Sequence, residues 1–329
     1  MRIVRTLQWV VLCVSWALAA AASAQEKVTY NMSWLPQGSS IGVMVAQDRG
    51  WYREAGLDVT IVRGYGGNRT ANELDQGQFE FGYVDPISLV LNRSNGGKIR
   101  MVGAINTTWP AGICWITSRL QPKGLDDLKG RQLGGGSASP VHTVVPTWLE
   151  MNSKPKDFIR LLRLDPAVIS TSLIEGKIDL VECWKASDRP VMQRVAEKAG
   201  LTVGWYDYSA YGLNAYGSGF AASEDLIAKR PETVRKFLRG AYRGYDYAFA
   251  NPEQAVDTLV KMFPVVDRGL ALQQIREISE LIQDAQARES GLGFLRDDRI
   301  RSTVAFVDRA YELKGKVKAE DIFTNQFLK

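Results

Sequence analysis

Alternation of apolar and polar residues predicts short strands along the first two thirds of the chain, and segments of helical periodicity separate these strands. Residues 28–34 and 57–63 alternate as strands do, whereas residues 41–54 carry apolar side chains at helical spacing before Gly56. Strands that alternate with helices are typical of parallel βαβ units. The pattern therefore predicts an α/β fold.

The same order of elements is predicted twice. A helix over residues 69–76 and a strand over 79–84 complete the first set, and a second set follows over 131–183. Five positions recur 99 residues later: Leu74, Gly77, Phe79, Glu80 and Phe81 correspond to Leu173, Gly176, Ile178, Asp179 and Leu180. A helix followed by glycine and then an apolar, an acidic and an apolar residue is common wherever a helix leads into a strand, so five such positions alone decide little. The matching order of elements upstream favours two similar α/β lobes.

The last third of the chain is predicted to be mostly helical. Ser223 can cap a helix, and Pro231 and Pro252 stand where helices can begin. A third βαβ set is not evident in this part of the sequence. We therefore expect a helical tail that packs on one or both lobes.

Residues 1–24 have the three parts of a secretory signal peptide. Arg2 and Arg5 give a basic start, an apolar stretch of signal length follows, and Ala22-Ser23-Ala24 forms a cleavage site of the A-x-A type. An uncleaved membrane anchor is the alternative, because the apolar run approaches spanning length. We expect cleavage after Ala24 and export of a soluble mature chain to the periplasm.

Composition excludes several classes of function. The chain has 329 residues, of which 45% are apolar and 23% charged, as in ordinary folded domains. Removal of Arg2 and Arg5 reduces the formal net charge from +5 to +3, so charge does not indicate a nucleic-acid partner. One histidine and three cysteines are too few for a typical structural zinc site, and the sequence has neither a P-loop motif nor a full dinucleotide-binding glycine pattern. We expect no cofactor.

Two cysteines, Cys114 and Cys183, would remain in the exported chain. An oxidising compartment would allow them to form one disulfide. Each lies in or beside a strand-like run, where a free cysteine behaves as a small apolar residue. We interpret them as two separate buried thiols.

Several motifs together resemble a known family. They are residues 45–59 (VAQDRGWYREAGLDV), 77–85 (GQFEFGYVD), 125–130 (LDDLKG) and 175–179 (EGKID). These runs resemble the periplasmic substrate-binding proteins of ABC importers, of the nitrate/taurine/sulfonate and thiamine-precursor (pyrimidine) type. The resemblance implies a type II periplasmic binding protein fold, in which two α/β lobes close over a small molecule and a membrane permease, with its ATPase, receives the ligand.

The resemblance also implies a division of the chain. We expect a signal peptide over residues 1–24, lobe one over 25–108 plus 218–329 with the C-terminal helices, and lobe two over 109–217. A monomer is expected. A receptor of similar fold that serves a sensor or a different transporter is an alternative.

One relative of this family is an enzyme, the fungal-type hydroxymethylpyrimidine phosphate synthase. That enzyme carries a CCCFC stretch and uses an active-site histidine as both substrate and ligand. This chain has no such cysteine cluster, and its single histidine is His142. We therefore expect a protein that is not an enzyme, and an enzyme on the same scaffold is the alternative.

Ligands of open α/β sheets bind beyond the carboxyl ends of the strands, so two facing lobes present their strand ends to one cleft. Residues at the predicted strand ends and crossovers are therefore candidates for ligand binding. They are Trp34, Ser39, Gly67, Asn68, Asp85, Asn106, Trp109, Ser137, Ser139, Glu182, Trp184 and Tyr216.

These candidates combine three kinds of chemistry. Glycine-rich loops and serines offer donors to an anion or a carbonyl group, although the same serines are equally suited to capping helices. The tryptophans can stack on a flat ligand or pack between the lobes. Asp85 and Glu182 can accept from a ligand nitrogen, or form salt bridges and caps. Because carboxylates disfavour a nearby anion, the set favours a nitrogen-containing aromatic or amine-bearing solute, such as a thiamine pyrimidine precursor. An anion receptor of the sulfonate, taurine or nitrate type is the alternative.

Overall fold

The computed structural model describes residues 25–136 and 139–328. The predicted signal peptide and the candidate residue Ser137 lie outside the described residues. Within those ranges the strands form two five-stranded sheets. In chain order the strands are β1 (Glu26–Asn31), β2 (Leu57–Val62), β3 (Phe81–Val84), β4 (Ile99–Ala104), β5 (Ala111–Ile116), β6 (Gln132–Gly136), β7 (Arg160–Leu164), β8 (Leu180–Trp184), β9 (Val203–Asp207) and β10 (Gly219–Ser223).

Both sheets have the same topology. The strand order is β2-β1-β3-β10-β4 in one sheet, which defines lobe one, and β7-β6-β8-β5-β9 in the other, which defines lobe two. In each sheet the second strand in this order, β1 or β6, runs parallel to both of its neighbours. The repeated sequence leads into β3 and β8, which occupy equivalent places. The prediction of two similar α/β lobes is therefore confirmed.

The expected parallel units are present in both sheets, but each sheet is mixed because it also contains antiparallel strands. Strand β10 is antiparallel to β3 and β4, and β5 is antiparallel to β8 and β9. Strands β4 and β10 are buried on both faces, so they lack the alternation that reveals a strand with one solvated face. The sequence pattern did not predict them for that reason.

Helices cover both lobes and form the tail. Their bounds are α1 (Ile41–Asp48), α2 (Trp51–Glu54), α3 (Gly67–Asp75), α4 (Pro86–Ser94), α5 (Val141–Met151), α6 (Pro166–Ile174), α7 (Asp188–Lys198), α8 (Glu224–Lys229), α9 (Pro231–Ala250), α10 (Pro252–Met262), α11 (Arg268–Ile282), α12 (Ala285–Ser290), α13 (Asp297–Tyr311) and α14 (Ala319–Ile322). Short 3₁₀ turns occupy Gly38–Ser40, Leu125–Leu128 and Tyr208–Tyr211.

Local sequence signals explain where several helices begin and end. The single helix predicted over residues 41–54 is in fact two, because Gly50 has a φ of 76° and ends the first one. Ser223 caps α8 by accepting a hydrogen bond from the N–H of Leu226, at 3.1 Å. Pro231 and Pro252 begin α9 and α10, as predicted.

The core of lobe one is built around α9. A Cβ atom on Gly244 of this helix would lie 1.9 Å from the carbonyl oxygen of Gly42, so only glycine allows α9 and α1 to approach this closely. The ring of Phe237 stacks on Phe81 of β3 with centroids 4.0 Å apart. These contacts fix the start of α1 and, with it, the preceding turn at Gly38–Ser40.

The helical tail packs on both lobes. Helix α13 contacts α4 of lobe one and α5 of lobe two, and α11 contacts the Gly38–Ser40 turn of lobe one and α7 of lobe two. The expectation that the tail packs on one or both lobes is confirmed, because the tail contacts both. In the described part of the chain, no helix combines the length and the apolar character needed to cross a membrane.

Cys114 of β5 and Cys183 of β8 form a disulfide, with Cα atoms 5.8 Å apart. The interpretation of two separate thiols is therefore wrong. The register pairs Gly112 with Cys183 and Cys114 with Val181, which brings the two cysteines close on one face of neighbouring antiparallel strands. The sequence pattern did not predict that β5 lies beside β8, so it could not predict the pairing.

Candidate functional site

Strand β8 ends in residues whose side chains alternate between two sides of the sheet. Cys183 belongs to the core cluster that contains Met192, whereas Trp184 packs against a separate cluster that contains Trp148. Glu182, two positions before Trp184, projects from the same side as Trp184. The strand end therefore presents a carboxyl group and an indole ring together.

Glu182 as a whole is half-buried at this strand end, and its carboxyl oxygen Oε1 is fully buried. Its Oε2 accepts a hydrogen bond from the hydroxyl of Ser139, which follows β6. Burial, with a smaller contribution from the charge of Asp188, raises the pKa of Glu182 to about 7 against the lowering effect of hydrogen bonds from Ser139 and Trp184. Glu182 therefore changes protonation near neutral pH and can either accept a hydrogen bond from a ligand or donate one.

Trp109 and Trp184 place two indole rings beside each other. Their centroids are 5.3 Å apart and their planes are inclined by 52°. Trp109 is buried, and Trp184 is half-buried. Because Ala111 of β5 pairs with Trp184 of β8, both rings lie at the same edge of the lobe-two sheet. The pair forms an aromatic wall beside Glu182.

Asn106 lies on the crossover from lobe one to lobe two and is buried. Its Nδ2 donates to the hydroxyl of Tyr83, at the end of β3, over 2.9 Å. Its backbone N–H donates to the carbonyl oxygen of Ser218, on the returning chain, over 2.8 Å. Asn106 therefore joins a strand end of lobe one to both crossover segments.

Four buried polar atoms around these residues have no hydrogen-bond partner among residues 25–136 and 139–328. They are Asn106 Oδ1, Trp109 Nε1, Glu182 Oε1 and the Tyr208 hydroxyl, called the four open atoms below. Burial, followed by the charge of Glu182, raises the pKa of Tyr208 well above its usual value, so Tyr208 stays a neutral donor close to that carboxyl group. A buried polar atom left unpaired costs about 1–3 kcal/mol. A bound molecule that pairs with these atoms recovers that cost.

Asp188, at the first position of α7, is a site residue that the sequence pattern did not reveal. Its side chain reaches solvent, and the protein around its carboxyl group still removes enough water to raise its pKa to about 6. Asp188 in turn raises the pKa of Glu182. In the sequence Asp188 is simply an acid at the start of the helix after Trp184. Acids are common at helix N-termini, so this position did not indicate a role in the site.

In lobe one, Asp85 takes a capping role. It accepts hydrogen bonds from the backbone N–H of Ser88 at 3.0 Å and from the hydroxyl of Ser88 at 2.5 Å, at the start of α4. A Cβ on Gly67 would lie 2.0 Å from Asp85 Oδ2, so Gly67 is pressed against this carboxylate. The capping alternative therefore describes Asp85 in this structure.

The other candidates fall into two groups. Trp34 and Asn68 are exposed beyond the strand ends of lobe one, and Ser39 is buried, with its carbonyl oxygen accepting from the Tyr245 hydroxyl at 2.5 Å. Tyr216 is buried elsewhere, where its hydroxyl accepts from the backbone N–H of Arg296 at 2.8 Å. The structure thus groups Trp109, Ser139, Glu182 and Trp184, with Asn106 on the adjoining crossover three residues before Trp109. The hydroxyl of Tyr216 points away from this group, into the tail.

The described side chains include no group of three or more His, Cys, Asp or Glu residues placed to hold a metal ion. The site instead consists of an aromatic pair, two carboxyl groups with raised pKa values and neutral polar atoms. The site lies in a chain with two lobes of the same strand order and a helical tail that contacts both, which is the arrangement of the periplasmic binding protein class of fold.

The comparisons with known proteins identify the family within that class. The chain belongs to the NMT1/THI5 like family, whose sequence profile matches residues 37–255. It is similar to the riboflavin-binding protein RibY of Chloroflexus aurantiacus, with 26% identity over 94% of this chain and 89% of that protein. It is also similar to the 4-amino-5-hydroxymethyl-2-methylpyrimidine phosphate synthase THI5 of Saccharomyces cerevisiae, with 23% identity over 76% of this chain and 75% of the yeast protein.

Among solved structures, the fold matches the periplasmic aliphatic sulphonate binding protein SsuA of Escherichia coli. The TM-score is 0.72 at 16% sequence identity, and the match covers 93% of this chain and 94% of SsuA. At this identity the likeness shows the fold. The family resemblance and the fold class expected from the sequence are confirmed.

Proposed function

We propose that this protein is a receptor that binds a flat, nitrogen-containing aromatic molecule between its lobes and delivers it to the permease of an ABC importer. The observation that carries the proposal is the set of four open atoms around the Trp109–Trp184 pair. The set contains two acceptors, one donor and one hydroxyl that can do both. A heterocycle with alternating ring nitrogens and exocyclic groups complements such a set, and indole rings stack on its face.

The two carboxyl groups support this ligand class over an anion. Glu182 and Asp188 would repel a sulfonate or nitrate placed beside them when ionised. A nitrogen-bearing ring avoids that repulsion, because its N–H or amino groups donate to carboxylates. The name of RibY records binding of riboflavin, which is a nitrogen heterocycle, and this supports the same ligand class here. The fold likeness to SsuA supports a sulfonate receptor as the second candidate.

An enzyme on the same scaffold is the third candidate, because the yeast relatives are synthases. The only histidine of the chain, His142, lies in the first turn of α5 with its Nε2 at 3.1 Å from the carbonyl oxygen of Gly136. Burial lowers the pKa of His142, so the ring is neutral at pH 7. We favour a role without catalysis, and a ligand recovered chemically unchanged after binding is the expected result.

The cellular setting belongs to the same proposal. We infer that residues 1–24 direct export, that cleavage follows Ala24, and that the mature monomer works in the periplasm. The chain division into 25–108 plus 218–329 and 109–217 remains our proposal for the two lobes. Detection of intact Met1 on membrane-bound material by N-terminal sequencing would contradict the export proposal.

The experiment that tests the ligand class is a direct comparison of three probes. Tryptophan fluorescence of the purified mature chain would be titrated with riboflavin, 4-amino-5-hydroxymethyl-2-methylpyrimidine and an alkanesulfonate. We expect saturable quenching by at least one heterocycle and none by the sulfonate. Binding of the sulfonate alone would overturn the assignment. Native mass spectrometry of protein purified without dialysis would identify a retained molecule directly.

A further inference from the structure

Helix α11 of the tail is anchored to lobe one through one of its faces. Ile275 and Ile278 are buried in the same core cluster as Tyr30 of β1. Gln274 accepts a hydrogen bond from the backbone N–H of Gly38 at 3.1 Å, and a Cβ on Gly38 would lie 2.7 Å from the Cβ of Gln274. The packing is tight, so α11 moves with lobe one.

The opposite face of α11 contacts lobe two through polar pairs. Gln273, Glu277 and Glu280 lie on this face at spacings of four and three residues. Among the described residues the pairs are Gln273 with Gln193, Glu277 with Arg189, Glu280 with Lys185 and, at the helix start, Asp267 with Arg194. Polar pairs of this kind separate into water at less cost than an apolar core, so this contact can open.

Glu277 is the most buried acid of this face, and it holds the turn that follows Trp184. Its Oε2 accepts from the backbone N–H of Ala186 at 2.8 Å and from Nη2 of Arg189 at 3.2 Å. Ala186 has a φ of 63°, a left-handed conformation that is unfavourable for alanine. The turn between Trp184 and α7 therefore depends on an acceptor that lobe two does not itself supply.

Arg189 extends this contact toward the other side of the ligand site. Its side chain is 7% exposed, and its guanidinium lies 4.5 Å above the ring of Trp205. Its Nη1 lies 3.8 Å from Oδ1 of Asp207, the residue before Tyr208. One carboxylate on the lobe-one side thus contacts Ala186 and Arg189, and Arg189 in turn contacts Asp207. Ala186 follows Trp184 by two residues, and Asp207 directly precedes Tyr208.

We propose that Glu277 is a positioning residue that stabilises the approach of the two lobes and, through it, the arrangement of Trp184 and Tyr208 for ligand. The proposal rests on the two-lobe receptor function but not on the ligand class. Separation of the lobes removes the carboxylate from Ala186 and Arg189 and exposes Arg189 to water. Loss of the Glu277 charge leaves Arg189 buried and poorly paired while the lobes are together, but not when they are apart. The equilibrium therefore shifts toward the separated state.

The test measures the distance between the lobes in ligand-free protein. Spin labels at Thr60→Cys in β2 and Lys129→Cys before β6 report this distance, because both positions are exposed and the native cysteines are paired with each other. The variants are Glu277→Gln, which keeps the shape, and Arg189→Lys, which keeps the charge of the partner. Glu253→Gln is the matched control, because its ion pair with Arg268 joins α10 to α11 within the tail.

We expect Glu277→Gln to raise the ratio of long to short distances about tenfold, the scale of one charged hydrogen bond, and Arg189→Lys to raise it in the same direction. The double variant should match the stronger single variant, and Glu253→Gln should match wild type. Distance distributions equal to wild type in both folded variants would overturn the proposal. Because the distance measurement uses no ligand, a negative result would not contradict the proposed ligand class. In the same way, a failure of every ligand probe to bind would not contradict the role proposed for Glu277.

Discussion

The hydroxyl of Ser139 donates its hydrogen bond to the carboxyl group of Glu182, across the ends of the parallel neighbours β6 and β8. The contact occupies Oε2 and leaves Oε1 as one of the four open atoms. Glu182 is therefore held in one orientation before any ligand arrives. A site that is ordered in advance loses less conformational entropy when it binds.

Glu182 should make the unfolding free energy depend on pH. Its pKa rises from 4.5 to about 7 on folding, so the folded state favours the protonated group. The contribution to stability is fully present below pH 4.5 and is lost as pH rises through about 7, by up to about 3 kcal/mol. Urea unfolding of wild type and Glu182→Gln between pH 4.5 and 8 measures the difference. Parallel pH profiles would contradict the assignment, and Glu175→Gln, an exposed acid of lobe two, serves as the control.

Trp184→Ala and Glu182→Gln should each weaken binding of the identified ligand about tenfold or more. Loss of the ring removes a stacking contact of about 1–3 kcal/mol, and loss of the carboxylate leaves a ligand donor unpaired at a similar cost. Calorimetry measures both affinities, with circular dichroism as the check on folding. Wild-type affinity in both folded variants would mean that lobe two contributes these residues to packing alone.

Reduction of the Cys114–Cys183 disulfide should destabilise the protein. The bond closes a loop of 69 residues, for which the chain-entropy relation gives roughly 4 kcal/mol. Urea unfolding with and without reductant, beside a Cys114→Ala/Cys183→Ala variant, measures the effect. An unchanged unfolding midpoint after mass spectrometry has shown both thiols reduced would contradict the expectation.

Ligand binding should bring the lobes closer together. The crossovers near Asn106 and Ser218 are joined by backbone hydrogen bonds and lie side by side, as a hinge between two rigid lobes requires. A ligand held by both lobes favours the closed state by its difference in affinity. Small-angle scattering with the identified ligand at saturation should show a smaller radius of gyration, and an identical scattering profile would count against closure.

Periodicity and punctuation predicted much of this fold. The parallel strands and their helices have strong alternation and clear glycine or proline boundaries, so both lobes were visible in the sequence. Strands such as β10 were not, since GFAAS is buried on both faces and its place is decided by pairing with distant strands. The disulfide was missed because it depends on another long-range pairing, that of β5 with β8.

For the candidate site, too, local sequence patterns predicted some residues and missed others. Alternation predicted that Glu182 and Trp184 lie on the same side of one strand, and β8 places both of them in that strand. Asn106 and Trp109 were proposed because they stand at a crossover. Asp188 was missed because its link to the site is the effect of its charge on Glu182, which no local sequence pattern reveals. Tyr216 was proposed from its position alone, and the structure directs its hydroxyl to Arg296 of the tail.

The place of β10 in the middle of the lobe-one sheet determines the order in which the two lobes can be completed during synthesis. The strands of lobe two all lie between residues 111 and 207, so this lobe is one continuous piece of chain. Lobe one begins earlier, but β3 and β4 are joined only when Gly219–Ser223 arrives between them. The lobe that starts first therefore finishes last, and until then its two unfinished strand edges stand open to a holding chaperone or to misassembly.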